Sequence, residues 1–317
     1  MSNAAASIGI ALPTIVPAGQ PFDIAGVTVA AEWAEAVGFD AVWASDHLYY
    51  PQQMLEALTV LGFAAARTSS IKLGTAIYQL PLRPTASAAK QIATLASLSG
   101  GRLVLGVGVG GDWPDEWAAA DASLKERGMR MEEGLPLLKR LLRGEKVDFN
   151  GRFHTLRNIA ITPPPPPVPV LVAGRAAPAL RRAALLGDGW FGFFLTPKGF
   201  RREVAQIRAL RDEAGLADQP YQLAMQFCVR IDSSNDGAGL RAAEVMNAGF
   251  PPGTALTPSD KLQHLMLAGT ADAVAERLRE YIEAGCGTVC LSVLDSGERA
   301  HEQFARLAAD VLPRLRG

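Results

Sequence analysis

Asp46 and His47 stand together at the end of a short apolar run, Ala41-Val42-Trp43-Ala44-Ser45. Imidazole titrates near neutrality, so a histidine there can act as general acid, general base or proton donor, and a neighbouring carboxylate can hold its ring. The pair also reads without chemistry, with Asp46 capping a helix and His47 bonding a loop carbonyl. Further on, Gly174-Arg175 and Thr196-Pro197-Lys198 each follow an apolar run and precede a helix-periodic stretch. Free N–H groups at helix starts, a hydroxyl and two cations would suit a phosphate, although Lys198 alone reads as a solvated surface lysine. The run ending in Ala76-Ile77 and the glycine series from Gly106 through Gly108, Val109 and Gly110 to Gly111 would let a flat ring approach the backbone. Trp43 and Trp113 offer apolar walls for a substrate. Trp113 and Trp117 would serve equally against a neighbouring subunit.

These groups need elements to position them. Eight apolar runs alternate with helix-periodic stretches: Ile8–Leu12, Ala41–Ser45, Lys72–Tyr78, Leu103–Val107, Val168–Val172, Trp190–Leu195, Gln222–Ile231 and Thr288–Val293. The intervening helices are expected over Val27–Val37, Met54–Arg67, Thr85–Ser97, Arg127–Arg143, Pro178–Leu186, Gly199–Ala214, Ala271–Glu283 and Arg299–Leu315. Nearly continuous apolar strands mark a buried parallel sheet. Eight β/α units in order predict an α/β fold of the closed (β/α)₈ type, the TIM barrel, in which chemistry gathers where strands end. An open doubly wound sheet would want its glycine-rich turn after an early strand. Here the G-x-G-x-x-G match follows the fourth strand, leads into Asp112-Trp113-Pro114 rather than a clean helix start, and lacks an acid about 20 residues on. It reads as backbone brought close to a ligand.

Two insertions are expected. Val147–His154 alternates around Asn150-Gly151, a hairpin signal, after the fourth helix. A longer polar stretch follows the seventh strand. Pro163 to Pro167 reads as a rigid connector feeding the fifth strand. The barrel is expected over residues 5–317, with Met1-Ser2-Asn3-Ala4 as a tag-cleavage scar and neither a signal peptide nor a repeat.

At 317 residues, 49% hydrophobic and 20% charged, the chain is neither disordered nor fibrous. With 31 Lys plus Arg against 32 Asp plus Glu the net charge is −1, and without a basic run nucleic acid is not an expected partner. No apolar stretch approaches the ~20 residues of a membrane span. Three cysteines, Cys228, Cys286 and Cys290, suit a reducing cytosol and a cytoplasmic location. The four histidines, His47, His154, His264 and His301, lack chelating spacing, and no lysine ends a strand where a Schiff-base enzyme would want one. High apolar content at near-zero charge points to a homodimer.

From residue 8 to about 315 the chain resembles the luciferase-like flavin and F420-dependent oxidoreductase superfamily. The match is carried by Ala34-Glu35-Ala36-Val37-Gly38-Phe39-Asp40-Ala41-Val42-Trp43 running into Asp46-His47, by Ile71–Thr75, and by Thr94–Leu103 continuing into Gly106–Gly110. It goes on through Val170–Gly174 and Ala183–Trp190. The resemblance implies a barrel binding FMN or the deazaflavin F420, with a small-molecule substrate. His47 would take the place of the catalytic histidine, oriented by Asp46. A non-prolyl cis peptide would fall at Ala76–Ile77, behind the ring. Gly108, Val109, Gly110 and Ala173 would lie along the cofactor. Gly174-Arg175 would form the phosphate loop, with Thr196 and Lys198 as a second anion contact. Asp-His and Thr-Pro-Lys look more like the F420 branch, which includes methylene-tetrahydromethanopterin reductases. The resemblance leaves open an FMNH₂/O₂ monooxygenase and, in another class, a non-catalytic flavin-binding barrel. A non-redox lyase is disfavoured by the missing lysine and metal set. The F420-dependent sugar-phosphate dehydrogenases carry a Glu where this chain has Gly111, so the acid for that reaction is expected to be missing and glucose-6-phosphate oxidation is not expected.

Overall fold

The computed structural model describes residues 5–17, 19–111, 113–250 and 257–316. Residues 1–4, read above as a tag scar, lie outside it. Eight parallel strands form the barrel: β1 (Ser7–Ala11), β2 (Ala41–Ala44), β3 (Lys72–Gln79), β4 (Leu103–Gly108), β5 (Val170–Ala173), β6 (Gly189–Phe193), β7 (Gln222–Ile231) and β8 (Thr288–Val293). Each pairs with its sequence neighbours, and β8 pairs with β1, so that the ring closes. Every expected strand is present, within two residues at most of its expected ends.

The barrel interior is filled by Ala11, Ala41, Trp43, Ala76, Leu171, Phe191, Ala224 and Cys290. Trp43 is its largest member. Its indole is 1% exposed and meets Phe191 edge-on at 5.4 Å. Gly9 and Gly74 make room for it, because a Cβ at either would collide with the indole. Trp43 therefore does not wall a substrate pocket, as its position beside the chemistry suggested. It is a core residue, and truncation to Ala would cost about 3–5 kcal/mol of stability.

The helices are α1 (Ile24–Ala36), α2 (Ala57–Arg67), α3 (Thr85–Leu98), α4 (Pro114–Ala119), α5 (Arg127–Leu142), α6 (Ala177–Leu186), α7 (Pro197–Glu213), α8 (Ala238–Ala248), α9 (Ser259–Leu262), α10 (Ala271–Glu283) and α11 (Glu298–Arg306). At α1 and α2 a side-chain cap explains the difference between the expected and observed starts. Asp23 accepts the Gly26 N–H, so α1 begins at Ile24, and Glu56 accepts the Thr59 N–H, so α2 begins at Ala57. Met54, expected in that helix, instead forms with Gln53 a short strand antiparallel to Ile15–Val16. Gln303 of α11 bonds both the N–H and the carbonyl of Ile231, tying that helix to the end of β7. Beyond α11 the C-terminal helix continues through a π-helical segment, Leu307–Val311, to Arg316.

The hairpin after α5 exists, but its turn is displaced. Val147–Asn150 pairs with Thr155–Ile159, leaving Gly151–His154 as a four-residue loop. Glu133 of α5 accepts the backbone N–H groups of Arg152, Phe153 and His154 at 2.8, 2.9 and 2.7 Å and so draws the loop out. The polar stretch after β7 contains α8 and α9. Among the described residues no helix is long and apolar enough to cross a membrane. No group of three or more His, Cys, Asp or Glu among them could hold a metal.

Candidate active site

A cavity of about 1010 Å³ opens at the carboxyl ends of the strands. It is large enough for a tricyclic ring and a small substrate together. One wall is small and flat: Ala11, Ala76, Ile77, Gly108 to Gly111, Ala173 and Gly174. The Ala76–Ile77 peptide is cis, as the resemblance implied. A Cβ on Gly108 would collide with the Ile77 side chain, and Gly110 sits at φ 89°, where a side chain would be strained. This cradle of missing side chains is the feature that fits a planar heteroaromatic group. Deeper in, Gln226 donates to Ser292 at 2.8 Å, placing polar edges in the cavity floor.

His47 lines this cavity just beyond the end of β2. Its Nδ1 meets both oxygens of Glu116, at 2.9 Å and 3.1 Å. Glu116 is fully buried, and its Oε1 also accepts the Leu48 N–H at 2.6 Å. An acceptor-only carboxylate on Nδ1 assigns the ring proton to that nitrogen and leaves Nε2 to exchange a proton with a molecule in the cavity. Glu116 belongs to the short helix α4, which the sequence reading passed over. The signal was present, since Pro114 at the first helical position and acids in the first turn mark a helix start. Gly111 bears no acid, but Glu116, five positions on, delivers a carboxylate to His47.

The expectation that Asp46 orients His47 is corrected. Asp46 is buried and is gripped by Arg83, whose two terminal nitrogens donate at 2.6 and 2.8 Å. Its Oδ2 also accepts the Gln79 N–H at 2.8 Å. Burial pushes the Asp46 carboxyl up, against the pull of Arg83. Gln79 connects the two acids. Its amide donates to the Asp46 carbonyl at 2.7 Å and lies 3.5 Å from Glu116, while its oxygen accepts the Gly111 N–H at 3.1 Å. Arg83, Gln79 and Glu116 were invisible to sequence reasoning because their partners are 37, 33 and 69 positions away.

Aromatic rings cover the histidine. Tyr50 stacks on it with centroids 4.0 Å apart, and Trp113 and Phe250 meet Tyr50 edge-on at 5.7 and 5.6 Å. Trp113 therefore stands behind Tyr50, not on the cavity wall. Burial, then the Glu116 charge, pushes the Tyr50 phenol up to about 12, so it stays protonated at neutral pH. Trp117 is buried and donates to the Gly111 carbonyl at 3.0 Å. Cys228 also reaches the cavity, but burial pushes its thiol up to about 12, which leaves it a poor nucleophile.

The anion-binding set is brought together only in part. Gly174 and Arg175 line the cavity, with Arg175 exposed and donating to the Phe194 carbonyl at 2.8 Å. Thr196 caps α7 by accepting the Gly199 N–H and lines a separate recess of about 290 Å³ together with Asn235 and Arg277. Lys198 is exposed on α7 and lines neither space. The structure therefore does not gather Thr196 and Lys198 with Arg175.

A model of the luciferase-like monooxygenase family matches residues 7–288. The chain is 30% identical to an F420-dependent glucose-6-phosphate dehydrogenase of Beutenbergia cavernae, over 93% of this chain and 94% of that one. It is 31% identical to a 5,10-methylenetetrahydromethanopterin reductase of Methanolobus tindarius, over 78% and 69% respectively. Among solved structures, an F420-dependent secondary alcohol dehydrogenase in complex with an F420–acetone adduct superposes with a TM-score of 0.80 at 21% identity, covering 99% of this chain and 100% of that one. At that identity the likeness concerns the fold.

Proposed function

The chain belongs to the luciferase-like monooxygenase family, and from that premise we propose that it is an oxidoreductase taking a flavin-type cofactor at the barrel mouth, F420 in preference to FMN, to exchange a hydride with a small organic substrate. The observation that carries this reading is the buried Glu116 carboxylate on His47 Nδ1, at the edge of a cavity with a flat wall of small residues. The preference for F420 is supported by the named activities of relatives 30% and 31% identical over most of both chains.

Ala76, Ile77, Gly108, Val109, Gly110 and Ala173 would lie against the ring, and Gly174 with Arg175 would meet the anionic part of its tail. The bound cofactor supplies hydride donation or acceptance, which no amino-acid side chain offers. This chain's own residues handle the proton. Nε2 of His47 takes it from a substrate hydroxyl or returns it to a carbonyl oxygen. Glu116 fixes the tautomer and stabilises the imidazolium. Tyr50, Trp113 and Phe250 shield the ring from bulk water, which strengthens that pairing. His47 in this setting argues against a non-catalytic barrel.

Side-by-side fluorescence titration with F420 and FMN tests the reading. F420 should bind at least about tenfold more tightly. Tighter FMN binding would move the assignment to the FMN-dependent monooxygenases, and micromolar binding of neither would overturn it.

A further inference from the structure

We propose that the substrate of this mouth is an uncharged, largely apolar small molecule; the inference rests on the oxidoreductase reading above and adds the class of compound. Beyond the flat wall, the cavity is completed by the segments after β1, β2, β7 and β8, the last of which carries Asp295, Arg299 and His301. The first three present Val16, Phe22, Tyr50, Met54, Met246 and Phe250. These side chains are half-buried and face the same space as His47.

The charge census points the same way. Lysine is absent from the described lining, and Arg175 and Arg299 are the two arginines in it. Both are exposed. They leave from the end of β5 and from beyond β8, three and two strands around the barrel from β2, where His47 stands. Residues 1–4, 18, 112, 251–256 and 317 include no lysine, arginine or histidine. The acids of the lining are Asp23, Asp46 and Asp295. Asp46 is neutralised by Arg83 and Asp295 by Arg230, at 2.6 and 3.2 Å, and Asp23 caps α1. The remaining histidine of the lining, His301, lies 3.9 Å from Asp23. A phosphate, sulfonate or carboxylate brought to His47 would therefore exchange its hydration for aromatic faces and a nearby Glu116, while Arg83 and Arg127, outside the described lining, bond Asp46 and the Gly111 carbonyl, which penalises binding. An alkyl or ring substituent would gain by burial against the same residues.

The probes are neutral ketones of increasing length, 2-butanone, 2-hexanone and 2-octanone, against levulinate (4-oxopentanoate), which keeps the carbonyl and adds a carboxylate. Binding is measured by titration calorimetry on the full chain with and without F420. Affinity should rise at least about tenfold from 2-butanone to 2-octanone, and levulinate should bind at least about tenfold more weakly than 2-hexanone. No gain with chain length, or levulinate binding as well as 2-hexanone, would overturn the inference. Failure of the cofactor reading shows separately, as absent F420 binding, because the ketone series is also ranked on the cofactor-free protein. Val16→Lys, at the cavity rim, should improve levulinate binding at least about fivefold at unchanged Tm. A folded variant with no such gain would also count against it.

Discussion

At the end of β2 the functional side chain is held from several directions. His47 is fixed by a buried carboxylate, that carboxylate by backbone N–H groups and Gln79, and the loop behind it by the Asp46–Arg83 pair. At the ends of β5 and β6 the candidate anion ligands are loosely placed. Arg175 is exposed and donates to one carbonyl, and Thr196 and Lys198 turn elsewhere. Under the proposed function, two different tasks account for the difference. Proton transfer requires one tautomer at one position before the reactants meet, and only a desolvated, fully bonded setting provides that. A flexible anionic tail can be met by backbone N–H groups and a mobile cation, since its own charge contributes the attraction.

The contrast can be broken most sharply at His47. His47→Ala should leave F420 affinity within a few-fold and lower the rate of hydride transfer in single turnover by about 10²–10⁴-fold. A normal rate would return His47 to a structural role. Asp46→Ala attacks the support and not the proton. It leaves Arg83 buried without its partner and should lower unfolding stability by about 3–5 kcal/mol in denaturant titration, with turnover per folded molecule nearly kept. Glu116→Gln preserves shape but loses the charge and should cost about 10–100-fold in rate at unchanged cofactor affinity. A loss equal to that of His47→Ala would mean that Glu116 itself exchanges the proton.

On the open side, Arg175→Ala should weaken F420 binding about tenfold, whereas Lys198→Ala should change it less than twofold, both by fluorescence titration. Equal losses would show that α7 does meet the tail. The smallest effect concerns Tyr50. Its folded phenol titrates at about 12 against an ordinary 10, through burial first and the Glu116 charge second. Because the neutral phenol is the form favoured in the folded chain, this contribution is complete below pH 10 and is lost as pH rises toward 12. Tyr50→Phe should therefore flatten part of the alkaline decline in Tm over that range.

Much of this architecture was legible because its causes are local. The eight parallel strands are buried on both faces, so each reads as a near-continuous apolar run whatever its neighbours are, and strand ends locate the mouth. His47 was placed at the mouth by its position after β2, and the cis peptide and the cavity-lining glycines came through family resemblance. What the sequence could not reveal depends on distant partners. A carboxylate next to a histidine in the chain looks like its orienting group, yet backbone geometry pairs Asp46 with Arg83 and brings Glu116 across 69 positions to the imidazole. Trp43 looked like a pocket wall from its neighbourhood. Its fate was decided by Gly9 and Gly74 on the adjacent strands, which open the space an indole needs. Local pattern fixes which face of an element is apolar, but the partner of a buried charge or a large ring is chosen by strand register and loop path, which exist only once the barrel has closed.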